Sequence, residues 1–189
     1  MAVDKEQIKQ NFANILQAID ENPTRDGLQD TPKRIADLYE ELFAGVGQDP
    51  KELLKGSFEL GHRELVILKD IQFFSMCEHH FLPFFGMVHI GYIPGKDGRV
   101  VGISKLAEVV NLIAHRPQIQ ERMATEIADA LYEGLKPDSV GVVIEAEHMC
   151  MSMRGIKKLG AKVITSALRG RFRTDIASRQ EFMSLIKKY

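Results

Sequence analysis

ELVILKDIQFFSMCEHHFLPFFGMVHIGYIP, residues 64–94, decides the architecture, because two β-rich runs flank a cluster of side chains able to bind a metal. The first run, ELVILKDIQFFS (64–75), is β-branched and aromatic, and the second, GMVHIGYIP (86–94), is closed by Pro94 and Gly95. Both read as strands bounded by turn residues. Between them, SMCEHHFLPF (75–84) sets Cys77, Glu78, His79 and His80 among apolar neighbours. Such a segment is either a metal site on a strand connection or a core that contains imidazoles.

Upstream, Ile8, Phe12, Ile15, Leu16 and Ile19 recur at helical spacing as far as Asn22-Pro23, which predicts an amphipathic helix. Thr31 and Pro32 offer an N-cap and a first-turn proline to a second helix carrying Ile35, Leu38, Tyr39, Leu42 and Phe43 and stopping near Gly45. Downstream, a short strand near RVVGI (99–103) leads to Ser104 as an N-cap, and Leu106, Val109, Val110 and Ile113 mark a helix face ending before Arg116-Pro117. Ile119, Met123, Ile127 and Leu131, each four apart, predict a longer helix. If VGVVIEAEHMC (140–150) stays extended, His148 and Cys150 share one face with Val140, Val142, Ile144 and Ala146. A strand in AKVITSALRG (161–170) and a C-terminal helix with Phe182, Leu185 and Ile186 complete an α+β layout. Residues 1–50 form an N-terminal helical segment and 51–189 the main domain.

Composition narrows the function classes. With 189 residues, 44% of them hydrophobic, the chain can bury one sizeable core. A formal net charge of -1 provides no overall field for nucleic acid or a membrane, so neither is an expected partner. The RGRFR run (169–173) is too short in a neutral chain to change that and reads as a solvated loop. MAVDKEQIKQ carries charge from its fourth residue and has no apolar core, so it does not read as a signal peptide, and a cytoplasmic location is expected. The stretch 79–95 lacks Lys, Arg, Asp and Glu, but three His, two Pro and three Gly spoil it as a membrane span. Cys77 and Cys150 are the only cysteines, and in a cytosolic protein they are inert core thiols or metal ligands rather than a disulfide.

Cys77-x-x-His80 has the spacing at which one loop brings two ligands to a zinc ion. With Cys150 as a third ligand and water as the fourth, the set is that of an open, catalytic zinc, which lowers the pKa of its water toward neutrality. The alternative is a closed Cys2His2 staple, with His79 or His148 as the fourth ligand. His62, His89 and His115 have no ligand partners nearby in sequence and read as surface or satisfied core histidines.

SMCEHHFLPFFGMVHIGYIP (75–94), GISKLAEVV (102–110), RPQIQERM (116–123), EHMCMSMRGIKK (147–158) and TSALRGRF (165–172) occur in this order. Together they resemble the GTP cyclohydrolase I family, from about Asn22 to the C-terminus. The resemblance implies a tunnelling fold, an antiparallel sheet with helices packed on one side. In the oligomer the sheets join into a ring-shaped barrel, and two pentamers stack into a homodecamer with active sites between subunits. It implies hydrolysis of GTP at C8 of the purine, loss of formate and reclosure to 7,8-dihydroneopterin triphosphate, on the route to tetrahydrofolate or other pterins.

By position, Cys77, His80 and Cys150 would hold Zn2+, and His79 and His148 would be the catalytic histidines. Glu121 matches the guanine-binding position, and its neighbour Gln120 is carried with it as substrate-binding. Ser104, Lys105, Arg154 and, from a neighbouring subunit, Arg34 would bind the triphosphate. Two positions depart from the pattern. Glu108 stands where the family usually has an arginine for the triphosphate, and Leu159 where it often has proline. Glu108 keeps open a related zinc hydrolase of the same fold acting on another purine nucleotide. A zinc-stapled binding protein without turnover is the reading from outside enzymology.

Overall fold

Two helices come first in the structure, a computed structural model that describes residues 3–187. Residues 1, 2, 188 and 189, which the sequence reading assigns to the two segments, lie outside the described residues. Helix α1 (Lys5–Ala18) is capped by Asp4, whose carboxylate accepts from the Gln7 N–H at 2.9 Å. Helix α2 (Thr31–Leu42) packs against it, and Lys5 bridges them through Asp37 (2.7 Å) and Glu40 (2.9 Å). The N-cap of α2 is Asp30 rather than Thr31, which is already helical and turns its hydroxyl to the Gly27 carbonyl. Of the apolar stripe predicted for α1, Leu16 is buried, whereas Ile15 and Ile19 stay exposed in the single chain.

After a 3-10 turn at Pro50–Leu54 come β1 (Phe58–Glu59), β2 (Val66–Cys77), β3 (Pro83–Ile93) and β4 (Arg99–Val100). Helix α3 (Ile103–Ala114), β5 (Pro117–Gln118) and α4 (Gln120–Leu135) follow. Strand β6 (Ser139–His148), the helical turn α5 (Met149–Ser152), β7 (Lys162–Gly170), the short α6 (Arg171–Thr174) and α7 (Ile176–Ile186) complete the chain. Strands β1 and β4 pair with each other, so the RVVGI strand does not join the main sheet.

The main sheet runs β5-β2-β3-β6-β7, with β2, β3, β6 and β7 antiparallel. It is mixed rather than antiparallel throughout, because β5 lies parallel to β2 through Met76↔Pro117 and Cys77↔Gln118. Pro117 stops the chain from continuing as helix between α3 and α4 and leaves it extended along the end of β2. A bulge between Leu68 and Ile71 shifts the pleat of β2. Asp70 adopts φ 59° there, and its N–H donates to Nδ1 of buried His89 at 3.1 Å. Val66 and Leu68 before the bulge, and Ile71 and Phe73 after it, consequently pack into one core.

That core joins Val88, Ile90, Val142 and Ile144 of the sheet to Leu106, Val109, Val110 and Ile113 of α3 and Met123, Ile127 and Leu131 of α4. The expectation of helices on one side alone is corrected by α7, which lies on the opposite face. There Phe182 and Ile186 bury with Phe172, Ile93 and Val143 as a second cluster. Gly91 and Gly141 are register partners, and a Cβ on either would come within 2.6 Å of the Phe182 ring. The glycine pair makes the floor on which α7 sits.

Candidate metal centre and substrate pocket

The β2–β3 connection is held by its own backbone. Cys77 ends β2 and donates its N–H to the Leu82 carbonyl (2.9 Å), while the Phe81 N–H donates to the Cys77 carbonyl (2.8 Å). Phe81 closes the turn at φ 51°, and its ring meets Phe43 at 5.7 Å between centroids. The Glu78 N–H donates to the Gln118 carbonyl (3.1 Å), fastening the turn to β5. From α4, Arg122 ion-pairs with the Glu78 carboxylate and donates to the Pro117 carbonyl (2.9 Å) and to Gln118 Oε1 (3.1 Å). The guanidinium holds the Glu78 carboxyl below its ordinary range, and the carboxylate in turn raises Arg122.

Cys150 reaches this turn from β6 by a route the extended reading of 140–150 misses. The strand ends at His148, and Cys150 sits in the helical turn α5, so the two do not share a strand face. Even so, the ligand atoms of Cys77, His80 and Cys150 lie within 4.8 Å of one another. Two thiols and one imidazole are donors that suit zinc, and atoms bound to one tetrahedral zinc stand about 3.5–4 Å apart. Burial pushes the Cys150 thiol up, and nearby Cys77 pushes it further. A dication between the two sulfurs would reverse that effect.

Beside the trio lies a cavity of about 190 Å³ whose lining includes Cys77, His79, Gln120, Glu121, His148 and Cys150. The exposed rings of His79 and His80 are 6.5 Å apart at 89°, so the neighbouring imidazoles face different directions. His148 lies flat on Phe84, its register partner across β3 and β6, with centroids 4.7 Å apart and 6° between planes. Burial lowers the His148 pKa, and Glu121 opposes the shift. Gln120 is 1% exposed, and its amide is engaged at both ends, by His148 on one side and by β6 and β7 on the other. Glu121, in the first turn of α4, stands exposed at the rim.

A family model described as GTP cyclohydrolase I matches residues 8–187. The chain belongs to the GTP cyclohydrolase I family. Proteins named GTP cyclohydrolase 1 are similar to it over nearly their whole length. That of Dehalococcoides mccartyi is 67% identical over 184 residues, covering 97% of each chain. That of Halalkalibacterium halodurans is 60% identical over 185 residues, covering 98% of each. That of Bacillus pumilus is 55% identical over 185 residues, covering 98% of this chain and 97% of the relative.

The cations nominated for the triphosphate of this GTP cyclohydrolase I family member are less gathered than the metal trio. Arg154 Nη1 lies 3.2 Å from His80 Nε2, to which it donates. Ser104 is exposed one residue inside α3, whose N-cap is Gly102, so Ser104 does not cap the helix. Lys105 Nζ is paired to Glu108 Oε2 at 2.6 Å. Arg34, on α2, is exposed, pairs with Asp30 and does not line the cavity. In the RGRFR run, Arg169 and Arg171 are paired to Asp129 (2.6 Å) and Asp138 (3.5 Å). No helix among the described residues is long and apolar enough to cross a membrane.

Sequence reading overlooked Arg122 and Phe84 as builders of the site. Both stand inside quoted motifs, but what distinguishes them is a partner distant in sequence, Glu78 for one and His148 for the other. Only the register of β3 on β6 and the docking of α4 on the sheet reveal these pairs.

Proposed function

We propose that this chain is a zinc-dependent hydrolase that converts GTP and water to 7,8-dihydroneopterin triphosphate and formate, working in the cytoplasm at the entry to tetrahydrofolate or another pterin. The observation that supports it is the gathering of the ligand atoms of Cys77, His80 and Cys150 within 4.8 Å of one another, beside a cavity lined by the two cysteines together with His79, Glu121 and His148. Cys77, His80 and Cys150 would hold the zinc, which when bound would supply a Lewis acid to activate water for attack at C8. His79 and His148 are the groups that move protons as the imidazole ring opens and formate leaves, since an imidazole can both give and take a proton. Glu121 reads guanine by accepting from N1–H and the 2-amino group, a pair of donors that adenine lacks on that edge.

Ser104, Lys105 and Arg154 take the triphosphate, with Arg34 delivered by a neighbouring copy. Two features favour a shared site. A cavity of about 190 Å³ falls below the roughly 300–1,000 Å³ of ordinary ligand pockets. The helical segment, residues 1–50, leaves Ile15, Ile19 and Leu38 exposed, as suits an arm that packs on another subunit of a homodecamer. Residues 51–189 then form the catalytic domain. The test is incubation of zinc-loaded protein with GTP. Stoichiometric formate and a pterin that fluoresces after oxidation are expected, and their absence would sink the reading.

A further inference from the structure

The amide of Gln120 has only one workable orientation. Its Nε2 lies 3.1 Å from the Ile144 carbonyl, 3.0 Å from the Val163 carbonyl and 3.2 Å from Thr165 Oγ1. Turning the amide over would set its oxygen against two carbonyl oxygens, acceptor against acceptor, and forfeit both bonds at a side chain that is 1% exposed. Oε1 must therefore face His148 Nε2, 2.7 Å away. An amide oxygen only accepts, so Nε2 of His148 carries the hydrogen. In the neutral ring the lone pair then belongs to Nδ1.

The ring has little freedom to escape this assignment. Phe84 fixes its plane from one face, with 6° between the two rings. Flipping the imidazole by half a turn about its Cβ–Cγ bond, which keeps the plane, would place Cε1 against Gln120 Oε1 and forfeit the bond. Phe84 thus sets the tilt and Gln120 sets the spin and the tautomer. Because β6 and β7 hold the amide, the tautomer of His148 is set by the sheet on which the histidine stands.

We propose that Gln120 is a positioning residue, which holds His148 as its Nε2–H tautomer and so presents Nδ1 to the reacting purine, rather than a residue that touches guanine. The proposal rests on the hydrolase reading above, in which His148 moves protons. Gln120 is 1% exposed with both ends of its amide engaged, and this leaves it no free group for a nucleotide.

The experiment compares four zinc-loaded proteins at fixed pH: wild type, Gln120→Met, His148→Ala and the double variant. Turnover of GTP by wild type tests the hydrolase reading by itself. Given that turnover, Gln120→Met should lower kcat by about 10- to 100-fold, the usual cost of removing a group that orients a working histidine, with KM for GTP within about twofold. Added to His148→Ala, it should cost nothing more, because Gln120 acts only through that ring. A raised KM with kcat retained would assign Gln120 to guanine and overturn the proposal, as would losses that multiply in the double variant. If Gln120→Met does not fold, a neutron structure of wild-type zinc-loaded protein, which distinguishes the amide ends and shows the imidazole hydrogen, decides. An amide bonded as described supports the tautomer assignment, and an Oε1 turned away from His148 refutes it.

Discussion

Arg122 grips Glu78, the residue directly after Cys77 and two before His80, and in doing so ties the ligand turn to the start of α4. The same guanidinium holds the Pro117 carbonyl and Gln118 Oε1 of β5. Removing it frees the turn from the start of α4. Arg122→Ala should therefore weaken zinc retention by about tenfold, in the range seen when groups that orient metal ligands are lost. Competition with a chromogenic chelator at neutral pH measures this, and unchanged retention would show that the backbone bonds of Cys77 suffice. The brace also has a pH sign. Because the folded carboxyl of Glu78 titrates below its unfolded value, its contribution is complete above that unfolded value and is lost as pH falls through the folded one.

Replacing Cys77, His80 or Cys150 should abolish metal binding, since a site of three protein ligands cannot spare one. His79→Ala and His148→Ala should keep about one zinc per subunit while kcat falls by about 100- to 10,000-fold, leaving a residual rate that can still be measured. Elemental analysis of the purified variants discriminates the two groups. A metal-free His148→Ala protein would mean that the imidazole completes a closed, structural site, and the proton-moving role given to it would fall.

The elements that sequence made legible are those whose signal is local. Leu106, Val109, Val110 and Ile113, and likewise Met123, Ile127 and Leu131, occupy the core faces their spacing predicts. Strands β2 and β3 lie where β-branched and aromatic residues cluster. What stayed hidden depends on partners distant in the chain. Gly91 and Gly141 each look like a weak point in a strand until register sets them side by side beneath Phe182, which is why the second helical face went unseen. The two-residue β5 is too short to carry a period, and it forms a strand only because the end of β2 lies alongside it. Sequence alone suggests that Cys150 continues the β6 strand, whereas a single helical turn brings it near Cys77. The bulge at Asp70 is likewise a matter of tertiary pairing, its N–H being met by a histidine of the next strand.

Glu121 stands at the cavity rim with its carboxylate available, one residue after the buried Gln120. If it accepts two donors from guanine, its amide counterpart can accept only one and sets an NH2 against the other. Charge-assisted bonds of this kind are worth about 1.5–3 kcal/mol each, so Glu121→Gln should reduce kcat/KM for GTP by at least about tenfold. Steady-state kinetics with GTP settles it. Unaltered kinetics would place guanine recognition on another residue.

Glu108 sits one turn after Lys105 on α3, and the pairing of their side chains at 2.6 Å occupies a cation nominated for the triphosphate. Both side chains are about two-fifths exposed, so the pair itself adds little to stability. Its consequence lies in binding. A carboxylate here adds repulsion toward a polyanion and competes for the lysine, whereas an arginine would supply a planar donor in its place. The ribose separates the phosphates from the purine and they take no part in the bond changes at C8, so the change should act equally on bound substrate and transition state. Glu108→Arg should then lower KM for GTP about tenfold, leave kcat within about twofold, and lose much of its advantage as salt rises through the range in which exposed charges are screened. Kinetics at two ionic strengths measures both parts. An unchanged KM at low salt would show that Glu108 faces away from the triphosphate and that other cations hold it, and a raised KM would show that the glutamate itself contributes to binding.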